Sequence, residues 1–198
     1  MRGDIRDLLP DPAVPFNGHI ALTFSSAETE FYPRHLQALL EYRSAGGAAR
    51  VMAWSDEWNS RIKLHQRKRD GALPLRSYYR AICGRGFSTW VSLTNAGHGG
   101  YRDVVPCTIT LVNASGVQRD VTREIAPYAT VFADVADLFP GAAEFLSPGG
   151  VGVIEVESTY DLANVQFVRH DATGAWGAEH YMAATTREGD RVAVPAGS

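Results

Sequence analysis

Amide, imidazole and indole side chains recur near the C-terminus, and basic and aromatic ones crowd the middle of the chain. In the first group, a hairpin turning over residues 171–175 sets His170 opposite Trp176 and His180 opposite Gln166. Asn164, Gln166, His170, Trp176 and His180 then share one face, with Val165 and Phe167 on the other. Such a face suits a polar ligand, because an indole offers a stacking platform and amides give directional hydrogen bonds. His170-Asp171 and Glu179-His180 also pair imidazole with carboxylate, the usual ingredients of a metal site. The same register holds the two histidines about 13 Å apart, too far to share one ion without a third element. No metal and no cofactor are therefore expected. A slip of one residue would carry each side chain to the opposite face and leave an ordinary solvated sheet.

The second group lies in residues 51–69, VMAWSDEWNSRIKLHQRKR. Read as a strand, it projects Arg61, Lys63, His65, Arg67 and Arg69 from one face and anchors Ile62 and Leu64 on the other. Trp54 and Trp58 precede the basic run, and Tyr78, Tyr79 and Arg80 follow it. Basic groups with interleaved aromatics can grip an anion and stack a sugar or a base. The same run also reads as a charged edge strand that discourages aggregation, or as a subunit interface. Asp56 and Glu57 make a poor catalytic pair, since neighbours on a strand point to opposite faces.

Familiar catalytic signatures are missing. The chain holds no GxSxG elbow, HExxH pair, GxxxxGK[ST] loop or CxxC pair. Gly149, Gly150 and Gly152 precede a strand, whereas phosphate loops open a helix. Arg2-Gly3-Asp4 and the sequon at Asn113 read as a frayed terminus and a turn. Carboxylates could still meet in three dimensions, and Asp56, Glu57, Glu155, Glu157, Asp161 and Asp171 are the acids to inspect.

The elements that must position these groups are short alternating runs bounded by turn residues. They predict strands over 18–24, 36–43, 49–56, 59–66, 77–82, 87–94, 105–113, 117–125, 128–133, 150–158, 162–169 and 175–182. Phe87, Val91 and Leu93 point away from Ser88, Trp90, Ser92 and Thr94, and Cys107, Ile109 and Leu111 point away from Thr108, Thr110 and Val112. Segment 33–43 fits a helix through Pro33, Leu36, Leu39 and Leu40, but it also alternates and is read as a strand. Segment 134–146 predicts one or two short helical turns, capped by Asp134 and interrupted at Pro140. The expected fold is all-β: an antiparallel β-sandwich, either one extended sandwich or two abutting ones. Its parts are an arm over 1–17, a β-rich first half over 18–86, a second half over 87–183 and a tail over 184–198.

The chain has 198 residues, 45% apolar and 21% charged, which excludes intrinsic disorder and collagen-like or disulfide-stapled classes. Neither a signal peptide nor an 18-residue apolar run is present, so a cytoplasmic protein with no membrane contact is expected. Cys83 and Cys107 sit in apolar segments and read as buried free thiols. A net charge of −3 conceals strong polarity. Residues 61–85 carry eight bases and one acid, and residues 126–180 carry eight acids and one base. Opposite blocks can pair within the fold, between subunits, or with separate partners.

Three stretches, WVSLTNAG, REIAPYATVFADVADL and GVIEVESTYDLANVQFVRHD, carry a resemblance. Across residues 87–182 the chain resembles the soluble transducer proteins of microbial sensory rhodopsins, small β-sandwich proteins that form oligomers. That resemblance implies a sandwich with a binding role, and carries over no functional residue. The leading expectation is a non-catalytic, homo-oligomeric β-sandwich that recognises a partner protein or a small polar ligand, such as a carbohydrate or an anion. A carbohydrate-active or other hydrolytic enzyme, its carboxylates meeting only in three dimensions, is the second reading, and a nucleic-acid binder using residues 61–85 is the third.

Overall fold

The computed structural model describes residues 36–44, 47–55, 75–95, 103–158, 162–180 and 184–185. The predicted strands over 18–24 and 59–66 lie outside them, as do the arm and nearly all of the tail. Eleven strands occupy most of the described chain: β1 (Leu36–Ser44), β2 (Gly47–Ser55), β3 (Leu75–Ile82), β4 (Phe87–Thr94), β5 (Val105–Val112), β6 (Gln118–Ile125), β7 (Thr130–Asp134), β8 (Val151–Ser158), β9 (Ala163–His170), β10 (Ala175–His180) and β11 (Ala184–Thr185). Two single helical turns, α1 (Val135–Leu138) and α2 (Ala142–Phe145), separate β7 from β8.

Residues 36–44 form a strand rather than a helix, because β1 and β2 pair antiparallel from Leu36–Ser55 to Ser44–Gly47. The remaining strands make two antiparallel sheets, ordered β10-β9-β4-β7 and β11-β3-β8-β5-β6. This is an all-β sandwich, and alternation is what closes it. Val91 and Leu93 of β4 meet Cys107, Ile109 and Leu111 of β5 and Ile154 and Val156 of β8 in one buried cluster. β10 is an edge strand of the four-stranded sheet, and β11 is an edge strand of the five-stranded one.

Edges and corners show why particular residues stand where they do. β6 borders the five-stranded sheet, and its inward positions near the ends carry arginines instead of apolar groups. Arg119 lies 4.3 Å above the Phe145 ring and donates to the Pro140 carbonyl. Charges on an edge strand oppose pairing with another chain. Where β3 passes to β4, Thr89 is fully buried, and its Oγ1 both accepts from the Ile82 N–H and donates to the Ile82 carbonyl. Asp134 caps α1 by accepting from the Ala136 N–H at 2.8 Å, as its position before an apolar run predicts. Strand β7 begins at Thr130, two residues later than the sequence pattern suggests. Tyr128 is held at φ 62° in the preceding turn, with its N–H given to the Asn95 carbonyl. Both cysteines are buried and free, and burial pushes their thiols up to about 11.

Candidate functional site

The β9–β10 hairpin turns one residue sooner than expected. Gly174, at φ 64°, gives its N–H to the His170 carbonyl and closes the turn, so Ala175 faces His170 and Trp176 faces Arg169. Every cross-strand relation therefore shifts by one, and the anticipated common face divides. Asn164 and Gln166 turn inward and are buried. Asn164 Nδ2 donates to Ser77 Oγ at 3.0 Å, and Gln166 Nε2 donates to the Arg80 carbonyl, so the two amides tie β9 to β3 across the interior. His170 ends β9 on that side, 4.9 Å from the Phe87 ring, with Nδ1 2.8 Å from Thr173 Oγ1. Trp176 lies on the opposite, outward face. His180 pairs in register with Val165, and Trp54 sits in β2 opposite Gln37. Trp58, Arg61, Lys63, His65, Arg67 and Arg69 fall outside the described residues, as do Asp56, Glu57 and Asp161.

On the outward face of the four-stranded sheet, Trp176 joins an aromatic cluster. Trp90 and Phe132 stack at 5.1 Å, and Trp90 meets Trp176 edge-on at 5.9 Å. Phe167 lies between, 5.7 Å from Phe132 and 6.2 Å from Trp176. Strand pairing produces this: Phe167 is opposite Trp90, and Phe132 is opposite Ser92, so side chains of three strands converge. Phe167 is buried, whereas Phe132 keeps 42% of its surface exposed. Arg169 lies over the Trp176 ring at 5.8 Å, and Ser88 donates to Asp171 at 3.2 Å. Asp134 completes the rim. Burial raises its carboxyl above the usual range, the Ala136 N–H bond lowers it, Asp137 and Asp171 raise it again, and Arg169 adds a smaller offset. The outward position of Trp90 was readable from alternation in β4, but its meeting with Phe132 and Phe167 needed the strand order.

The five-stranded sheet presents a different outer surface. Arg76 donates from Nε to Glu157 at 2.7 Å and lies 3.2 Å from Glu155, so one arginine of the basic block binds two carboxylates of the acidic block. Burial raises the Glu155 carboxyl, Arg76 lowers it, and Glu157 and Asp120 raise it again, for a net upward shift. A carboxyl raised on folding contributes full stability below its unfolded pKa and loses that contribution as pH rises through the folded value. Glu155→Gln should therefore lose less stability than the parent between pH 4 and pH 7, as compared by thermal melts at both. An equal loss in both proteins would refute the assignment. Arg80, two outward positions further along β3 and opposite Val153, is exposed.

Among the described residues, no group of three or more His, Cys, Asp or Glu side chains gathers to hold a metal ion. No described helix is long and apolar enough to cross a membrane. Fold and face together define an antiparallel β-sandwich with an aromatic patch on its smaller sheet. Comparison with protein-family models, curated proteins and solved structures yields no match, so the chemistry of these residues carries the functional reading.

Proposed function

We propose that this chain is a non-catalytic interaction protein that assembles with a second copy of itself through the outer aromatic face of the four-stranded sheet. The carrying observation is the composition of that face: Trp90, Phe132 and Trp176 with Arg169 at the rim. Tryptophan and arginine are enriched at protein–protein hot spots, where large rings bury area and a guanidinium binds acids. A two-fold contact brings the same patch from both copies together. Arg169 of one copy then meets Asp134, Asp137 and Asp171 of the other, relieving the crowding of acids beside Asp134.

The small-ligand reading has less support, because Asn164 and Gln166, its hydrogen-bonding groups, serve the interior. The hydrolytic reading has Glu155 and Glu157 as its carboxylates, and both bind Arg76 on a sheet face.

Sedimentation velocity over a range of concentrations and salt tests the proposal. A dimer is expected, weakened by salt. Phe132→Ala should raise its dissociation constant about 30-fold, the effect of losing a hot spot of about 2 kcal/mol. Arg169→Glu should weaken it as well, and flatten the salt dependence. A parent protein that stays monomeric at every concentration overturns the proposal, as does a dimer indifferent to both substitutions.

A further inference from the structure

The outer face of the five-stranded sheet carries a hollow that lies on a different sheet from the aromatic patch. It is a shallow, open depression of about 370 Å³, lined by Tyr78, Arg80, Val112, Asn113, Val151 and Val153, among others. Its floor is apolar and open to solvent, with Val151 44% and Val153 41% exposed. One wall is the turn after β5, which is fixed. Asn113 Oδ1 accepts from the Ser115 and Val117 N–H groups, and its Nδ2 donates to the Phe145 carbonyl.

Charge at the rim is what distinguishes this hollow. Among the described arginine side chains, Arg76 binds Glu155 and Glu157. Arg85, Arg119 and Arg123 donate to backbone carbonyls, and Arg169 lies over Trp176. Arg80 has no partner among the described residues, and it stands beside the most exposed valines of its sheet face. A free guanidinium next to an apolar floor matches an anion with an apolar body. The planar donor fork pairs with a carboxylate, and the valines shelter the hydrocarbon.

We propose that this hollow binds a small aliphatic monocarboxylate, with its carboxylate on Arg80 and its alkyl group on Val151 and Val153. The site does not depend on self-association through the other sheet.

An NMR titration of the full-length, isotope-labelled protein tests this, with isovalerate as probe and isovaleramide and isoamylamine as neutral and cationic analogues. Isovalerate should give saturable shifts at Tyr78, Arg80, Val151 and Val153. Isovaleramide should bind about tenfold more weakly, the loss expected for one charge-assisted contact, and isoamylamine not measurably. Arg80→Gln, at an exposed position, should reduce isovalerate binding to the level of the amide. Val153→Thr should weaken isovalerate while leaving the preference for acid over amide. Equal binding of acid and amide overturns the proposal, as do shifts confined to other sites, no saturation, or an unaffected Arg80→Gln protein. Tighter binding by a peptide ending in a free valine carboxylate would overturn the small-acid assignment in favour of a polypeptide C-terminus.

Discussion

Gly152→Ala is expected to lower stability by about 3 kcal/mol, at the upper end of what overpacking a core costs. A Cβ at this position would sit 2.3 Å from the Val112 carbonyl oxygen and 2.5 Å from Leu146 Cδ2. Neither atom has room to move. Val112 is paired with both Val153 and Gln118, so displacing its carbonyl disturbs ladders on two sides. Leu146 is buried against the core and packs beneath the same strand. The glycine is thus required for a close approach between β8 and the chain leaving α2, and not for an unusual backbone angle. Gly116→Ala makes the contrast. There φ is 78° but no atom lies within 4 Å of the added carbon, so only the cost of a left-handed residue applies, about 1 kcal/mol. Urea denaturation of the two variants separates the effects. A Gly152→Ala midpoint equal to that of Gly116→Ala would mean that the strands spread at little cost.

The alternation that gave these strands away was a local signal. Cys107, Ile109 and Leu111 alternate with threonines and valine because one face of β5 is core, and burial follows that pattern residue by residue. The cap at Asp134 was equally legible, since it depends on a side chain and an amide two residues away. The offset between strands was not. A period of two fixes which residues of β9 share a face, but the turn decides what they oppose, and Gly174 closes the β9–β10 turn one residue early. Polarity also misled. Asn164 and Gln166 look like solvent-facing residues until Ser77 and the Arg80 carbonyl appear on the opposite sheet to accept from them. Phe167 alternates with those amides, as the sequence pattern placed it, and on the outward face it joins the aromatic cluster. That cluster joins β4, β7, β9 and β10, whose pairing spans most of the domain and leaves no local trace in the sequence. The hollow beside Arg80 was invisible for the same reason: that Arg80 lacks an acidic partner among the described residues emerges only from the strand order and register.

Asn95→Asp should be the most pH-sensitive substitution in the fold. Asn95 is fully buried just beyond β4, where it joins several chain segments. Its Nδ2 donates to the Asp103 carbonyl at 3.0 Å and to the Ile125 carbonyl at 3.1 Å. Its backbone N–H donates to the Ala129 carbonyl, and its own carbonyl accepts from Tyr128. Aspartate has the same shape but removes both amide donors, and when ionised it sets a buried negative charge against two carbonyl oxygens. Desolvation and repulsion both disfavour that charge, so the carboxyl must titrate above its unfolded value of about 3.9. Its favourable contribution is complete below that value and disappears as pH rises through the folded one. The protonated acid can still donate one hydrogen bond, so the loss at pH 4 should be about 1–2 kcal/mol, the cost of one unmade bond. At pH 7 the loss should be larger, because the ionised group sets a buried charge against the Asp103 and Ile125 carbonyl oxygens. Asn95→Leu removes the donors without adding a charge, and its loss should be the same at both pH values. Urea denaturation of the parent and the two variants at pH 4 and pH 7 reads the difference directly. A pH-independent loss for Asn95→Asp would mean that the loop end opens to hydrate the carboxylate, and that these carbonyls are not locked together by Asn95.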